Sequence, residues 1–260
     1  MAIIQMNFRS DAISRSVYPV VFLPDLNLWR DIDPPYPTLY FLPGYSGGAL
    51  ETTQFTNFSL FAMRYGVAIV LVDGENSFYT DDEKRGACFS RFVGEELVEV
   101  TRSVLPLSTE RDKTWIGGIS MGGYGALING LRFPERFSKI GVLSPAFGFK
   151  REDDIPPEGC PVPAGELNEV LGDWVAYQGS YRDERAALRR AAEDPTVLPR
   201  LFLAAGQADP LFPAIRGFRD FCLENGVSPA WYESEGGHDH PFWKKALDPL
   251  LHFLTGKEGV

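Results

Sequence analysis

An α/β fold, with a mostly parallel central sheet and helices on both faces, is what this 260-residue chain predicts. Three observations carry the expectation. Short apolar runs recur along the chain, and most lack the polar/apolar alternation of a half-exposed strand, as strands buried on both faces do. Helix-like segments fall between those runs, so strand and helix alternate. The length suits one domain with a sizeable core, and we expect residues 1–260 to form it.

The elements follow in order. Residues 2–9 (AIIQMNFR) and 15–24 (RSVYPVVFLP) predict two edge strands, the second carrying Pro19, which a central strand would resist. Further strands are expected at 38–43 (TLYFLP), 67–72 (VAIVLV), 113–118 (KTWIGG), 139–144 (KIGVLS), 200–205 (RLFLAA) and 230–234 (AWYES). Helices are expected near 54–65, 91–104, 121–132, 213–225 and 240–255, with Glu95 and Glu96 near the start of the second. Pro134 stops the third, and Asn225-Gly226 stops the fourth. Residues 148–196 break the rhythm. They are rich in proline, hold two short helix-like pieces, and predict a small cap-like insertion between two strands.

Composition narrows the class. The chain has 44% apolar and 23% charged residues and a net charge of −10, ordinary for a globular enzyme but repulsive toward phosphate backbones and anionic membranes. Neither nucleic acid nor membrane is an expected partner, since no apolar run reaches the roughly 18–20 residues a span requires. The N-terminal residues lack the basic and apolar regions of a secretory signal. Cys88, Cys160 and Cys222 are odd in number and widely spaced, which predicts free thiols and a cytoplasmic location.

The stretch GGISMGGYGA (117–126) sets one hydroxyl among glycines, after a predicted strand and before a predicted helix. Its G-x-S-x-G pattern occurs twice, since Gly44-Tyr45-Ser46-Gly47-Gly48 matches as well. Chance gives only about 0.15 matches in a chain of this glycine content, but context must separate the two. A serine nucleophile needs a sharp strand-to-helix turn that lifts its oxygen above the sheet and aims the next N–H at the developing oxyanion. Ser120 meets that demand. Ser46 follows a strand, but glycine and polar residues continue to about Thr53, so no helix is expected there. Its loop suits the second oxyanion donor instead, the main-chain N–H of Tyr45 facing that of Met121.

A base and an orienting carboxylate should follow the serine in the order Ser…Asp…His. Of three histidines, His238 sits in a glycine-flanked loop after the last strand, His240 lies beside Pro241, and His252 falls within a helix. His238 is the expected base. Asp209, just past a strand's C-terminal end, is the expected acid, and Asp220 and Asp239 are worse placed. Tyr45 and the aromatic residues Phe78, Tyr79, Phe147 and Phe149 lie in predicted loops near strand C-termini, where they could line an acyl or aryl pocket.

Taken together, FLPGYSG, NSFYTDD (76–82), FVGEELVEV (92–100), IGGISMGGYGAL, GQADPLF and EGGHDHPFW resemble the esterase D family of α/β-hydrolases, especially its short-chain tributyrin-esterase branch with feruloyl-esterase-like members. The resemblance implies an α/β-hydrolase fold, with Ser120 as nucleophile, His238 as base, Asp209 as its partner, and Tyr45 and Met121 N–H groups as the oxyanion hole. It also implies hydrolysis of short acyl esters of small alcohols, aryl alcohols or sugars, without cofactor, and in some members of S-acyl thioesters. Two positions depart from the pattern. Pro43-Gly44 stands where many relatives have His-Gly, and His240, in the wall near the base, where many have an aromatic residue.

Other readings weigh less. His238-Asp239-His240 could suggest zinc, but a catalytic zinc takes three protein ligands and His252 is the one other histidine, so no metal is expected. A non-catalytic scaffold would lack a triad member. Acyl transfer, or thioester hydrolysis of the S-formylglutathione hydrolase kind, would use the same residues. The partner expected is a small-molecule ester, and a homo-oligomer stays open.

Overall fold

In the computed structural model, residues 2–24, 33–150, 152–153 and 160–257 are described; residues 151 and 154–159 of the expected insertion lie outside them. Eight strands form the main sheet: β1 (Ala2–Gln5), β4 (Val20–Leu23), β5 (Thr38–Leu42), β6 (Ala68–Leu71), β9 (Thr114–Ile119), β10 (Lys139–Leu143), β11 (Arg200–Gly206) and β12 (Ala230–Ser234). Their order is β1-β4-β6-β5-β9-β10-β11-β12. The pairs β1–β4 and β4–β6 are antiparallel. Every other pair is parallel.

Side-chain period 2 sorts the strand residues between two cores. Tyr40 and Leu42, Ala68 and Val70, Ile140 and Val142 face one core. Leu39 and Phe41, Ile69 and Leu71, Phe202 and Ala204 face the other. The first core is covered by α4 (Leu97–Val104), α5 (Met121–Arg132), α8 (Glu184–Ala192) and α9 (Phe212–Glu224). The second is covered by α1 (Ala49–Phe55), α2 (Phe58–Tyr65) and α10 (His240–Thr255). Both faces are thus dry, which explains why the strands read as continuous apolar runs.

The remaining elements are short. β2 (Phe8–Ser10) pairs with β3 (Arg15–Val17), and β7 (Asp81–Asp82) with β8 (Ala87–Cys88). A turn of helix, α3 (Phe89–Arg91), runs through a π-helical stretch, Phe92–Glu96, into α4. Between β10 and β11 lie α6 (Ala164–Leu171), α7 (Trp174–Tyr177) and α8. This segment is tied down by polar contacts. Glu184, only 6% exposed, accepts from the Tyr177 hydroxyl and from the Gly148 N–H at 3.2 Å, and Tyr124 donates to the Arg182 carbonyl.

Four local expectations are revised. The run 2–9 breaks after Gln5, and the run 15–24 breaks at Tyr18-Pro19. β4 is therefore interior, between β1 and β6, and Pro19 sits just before it, where its missing donor costs no ladder bond. The helix expected at 54–65 is two, α1 and α2, and α1 starts at Ala49, only three residues after Ser46. Its start is fixed by a distant group, Asp73, whose carboxylate accepts from the Ala49 N–H at 2.5 Å. Glu95 and Glu96 lie inside the π-helical stretch rather than at a helix start. Glu96 accepts from the Ser10 hydroxyl and, at 2.7 Å, from the Asp11 N–H, holding the β2–β3 turn.

Candidate active site

Ser120 follows β9, the strand between β5 and β10, and precedes α5 directly. Its φ of 53° and ψ of −118° lie in a region that side chains disfavour. The turn fits only because its neighbours lack side chains. A Cβ on Gly122 would stand 2.0 Å from the Leu42 carbonyl oxygen, and one on Gly118 would stand 2.4 Å from the Gly122 carbonyl oxygen. Backbone bonds clamp the turn: the Ser120 N–H donates to Leu143 at 3.0 Å, and the Ser120 carbonyl accepts from Ala146 and Tyr124, each at 3.0 Å.

Asp209 arrives from the turn after β11, and its side chain is fully buried. His238 arrives from the loop after β12. Its Nδ1 lies 3.0 and 3.2 Å from the two Asp209 oxygens, and its Nε2 lies 2.9 Å from Ser120 Oγ. A carboxylate only accepts, so Nδ1 carries the proton and Nε2 is left to accept from the serine hydroxyl. Burial works to raise the Asp209 pKa, but the hydrogen bond and charge of His238, the nearby Ser144 hydroxyl and the Leu211 N–H (2.8 Å) outweigh it. The net shift is downward, so Asp209 is ionised across the neutral range.

The loop after β5 packs against this turn: Gly44 is so close that a Cβ there would lie 3.4 Å from Ser120 Cβ. Tyr79 holds the loop from beneath, its hydroxyl donating to the Pro43 carbonyl at 2.9 Å. Ser46 is exposed and strained at φ 59°, and its N–H donates to Asn76 at 2.7 Å.

A cavity of about 230 Å³ opens at Ser120. Tyr45, Met121, His238, Phe78 and Phe149 line it together with the serine. The far wall is Cys160-Pro161-Val162 and Pro210-Leu211, which were not among the expected lining residues. A larger depression, about 950 Å³, lies between Arg15, Glu75, Arg85 and Glu169 but contains none of Ser120, His238 or Asp209. Size therefore does not mark the site; the reactive groups do.

Three expected lining residues stand elsewhere. Tyr79 lies under the β5 loop, with burial pushing its hydroxyl well above its ordinary pKa. Phe147 packs on Phe218, ring centres 4.5 Å apart. His240 stacks on Phe55 at 4.0 Å and meets the edge of Trp243, which also touches His238 at 5.1 Å. Burial lowers its pKa. Asp239, between the two histidines, caps α10 by accepting from the Phe242 N–H, so the three side chains of His-Asp-His diverge. His252 is exposed on α10. Among the described residues, no group of three or more His, Cys, Asp and Glu is placed to hold a metal ion, and no helix is long and apolar enough to cross a membrane. Cys88, Cys160 and Cys222 are free, and burial raises the pKa of each.

Comparison with known proteins bears on family and fold. The family model described as "Putative esterase" matches residues 10–254. An acetyl esterase of Caldicellulosiruptor saccharolyticus is 37% identical over 262 residues, covering 98% of each chain. Among solved structures, FphF, a fluorophosphonate-binding serine hydrolase of Staphylococcus aureus, superposes with a TM-score of 0.86 at 23% identity, covering 98% of this chain and 99% of that one. The S-formylglutathione hydrolase FrmB of the same organism gives 0.83, also at 23%, covering 98% of both. The latter two establish the shared α/β-hydrolase fold. Fold, family match and full-length identity to an acetyl esterase converge: the chain belongs to this esterase family and is a carboxylesterase.

Proposed function

We propose that this enzyme hydrolyses short-chain acyl esters through an acyl-enzyme on Ser120, as a member of the tributyrin-esterase and feruloyl-esterase-like branch of the esterase D family. One observation carries the reading: an unbroken relay from Asp209 through His238 to Ser120, at the mouth of a small cavity walled by Phe78, Phe149 and Val162. At about 230 Å³ the cavity falls below the roughly 300–1,000 Å³ typical of sites for drug-sized ligands, which favours a small acyl group.

In the proposed reaction His238 Nε2 takes the Ser120 proton as Oγ attacks the ester carbonyl. The imidazolium is stabilised by ionised Asp209, which keeps its negative charge throughout. Main-chain N–H groups of Met121, at the start of α5, and of Tyr45 receive the oxyanion. The first lies at a helix N-terminus, where N–H groups lack helical partners and negative charge is favoured. His238 then protonates the departing alcohol, and water repeats the sequence to free the acid and restore Ser120. Cys160 is no rival nucleophile, since burial holds its thiol protonated.

We read residues 148–196 as a cap inserted in a single α/β-hydrolase domain. Cys160-Pro161-Val162 walls the cavity, and Tyr45 donates to Glu166 of α6 at 2.9 Å. Three free cysteines fit a reducing compartment such as the cytoplasm. Acyl transfer to another alcohol and hydrolysis of S-acyl thioesters remain chemically equivalent at this site. Added glycerol or sugar would divert the acyl group from water in the first case.

The test is initial rates on p-nitrophenyl acetate, butyrate and octanoate and on methyl ferulate, for wild type, Ser120→Ala and Ser46→Ala. The reading expects acetate and butyrate to be preferred and Ser120→Ala alone to be inactive. A dead Ser46→Ala beside an active Ser120→Ala would overturn it.

A further inference from the structure

The strand β10 ends in a turn that touches both the nucleophile and the acid. Leu143 accepts from the Ser120 N–H, and Ala146 donates to the Ser120 carbonyl, each at 3.0 Å. Ser144 lies between them, at φ 47° in the left-handed region that costs a side chain, and its N–H donates to Ala204 of β11 at 2.8 Å. The residue is fully buried. Its hydroxyl makes no hydrogen bond of ordinary geometry among the described residues, although it lies close enough to Asp209 to favour the ionised carboxylate. A buried hydroxyl without a partner costs stability, and so does a left-handed serine. Both costs fall on one residue, whose β10 turn bonds the Ser120 backbone and whose N–H bonds β11, the strand that leads to Asp209.

We propose that Ser144 is a positioning residue for the reaction: its hydroxyl is a reserve donor to Asp209, engaged when His238 becomes the imidazolium. The inference rests on the relay reading above. In the resting enzyme Asp209 receives the His238 Nδ1–H and the Leu211 N–H. Together with Ser144, these are the groups that act on the carboxylate, from the β12–α10 loop, the β11–α9 turn and the end of β10. When Nδ1 becomes cationic, its bond to Asp209 shortens and draws the carboxylate toward the histidine. A third donor to the carboxylate limits that movement and disperses its charge. Ser144 is absent from the cavity wall, so it acts through Asp209 and not on the substrate.

The sign of the effect on titration follows. Without the hydroxyl, the carboxylate is less stabilised and attracts a proton more strongly, whether the proton is held on His238 or on Asp209 itself. The acidic limb of the kcat/KM profile therefore moves to higher pH.

The experiment measures kcat, KM and the pH profile with p-nitrophenyl butyrate for wild type, Ser144→Ala and Ser144→Gly, with Asp209→Asn in parallel. Alanine removes the hydroxyl and keeps the backbone strain; glycine removes both. Both variants are expected to lose about tenfold in kcat/KM, mostly in kcat, as suits one bond to a charged group. Their acidic limbs should move up by about half to one pH unit. A limb unmoved in both variants overturns the proposal whatever the rate. So does a glycine variant with wild-type kinetics, which would make backbone strain the cause of any alanine defect. If Asp209→Asn retains wild-type rates, the relay reading falls and this inference with it. If Asp209→Asn is inactive while both Ser144 variants titrate as wild type, only the Ser144 assignment falls.

Discussion

Ser120→Gly should leave the protein inactive but more stable than Ser120→Ala. Both variants remove the hydroxyl and its bond to His238, and neither loses a helix cap, because the Ser120 side chain makes no capping bond to α5. They differ in the Cβ, which at φ 53° and ψ −118° forces a backbone conformation suited to glycine. Strain of this kind costs about 1–3 kcal/mol. Glycine in turn frees the unfolded chain, which costs about 0.4–1 kcal/mol. Glycine should therefore win by about 0.5–2 kcal/mol, raising its Tm above that of alanine by about 1–4 °C for a chain of this size. Paired calorimetric scans at one scan rate, with p-nitrophenyl acetate turnover as the check on inactivity, would measure it. If alanine proved the more stable by about half a kcal/mol, as at an ordinary site, the turn would be unstrained and the elbow reading would lose its energetic basis.

The tight approach of α5 to β5 gives another expectation: Gly122→Ala drives a methyl into the Leu42 and Pro43 carbonyls, costing about 1–3 kcal/mol by denaturant titration and at least about 100-fold in kcat/KM. Tyr45→Phe removes the hydroxyl bond to Glu166 but keeps the main-chain donor, so kcat should change by less than about threefold while amide exchange in α6 accelerates. Burial raises the Glu184 pKa above its ordinary 4.5, so its contribution to stability is complete below that value and is lost as pH rises through the higher folded pKa. Glu184→Gln should therefore gain Tm relative to wild type progressively as pH rises above 4.5, a trend that parallel thermal melts would read. Asp209 has the opposite sign. Its folded pKa is lowered, so its contribution is present at neutral pH and is lost on acidification through that lowered value, a dependence that Asp209→Asn should abolish in acid-unfolding curves.

The main strands, and the three side chains that meet at the candidate site, were legible because each follows a local rule. Buried parallel strands read as unbroken apolar runs, and Ser120 joins β9 to α5 with no intervening residue, whereas Ser46 is three residues short of α1. Position relative to strand ends separated His238 from His240 and Asp209 from Asp239. The misses share a different cause: they depend on groups far away in sequence. α1 starts at Ala49 because Asp73, 24 residues on, receives its first N–H. Glu96 sits mid-helix because its partners are Ser10 and Asp11, 86 and 85 residues earlier. Phe78 and Phe147 were equivalent on paper, yet one lines the cavity and the other packs on Phe218. Nothing within 160–162 advertises that those residues close a pocket around Ser120. Ser144 had one signal, a serine at a strand's C-terminal end in LSPA, but only the fold sets it beside Asp209.

The strand order divides labour about the nucleophile. Ser120 follows β9; the loop carrying Tyr45 comes from β5 on one flank, whereas Asp209 and His238 come from β11 and β12, beyond β10 on the other. In the proposed reaction, groups that titrate are thus on one side of the attacking oxygen, and on the other is a loop whose amides do not. A change confined to the β5 loop would then act on charge stabilisation at Tyr45, and one confined to the loops after β11 and β12 would act on protonation. The end of β10, whose Leu143 and Ala146 bond the Ser120 backbone, is where the two sides meet.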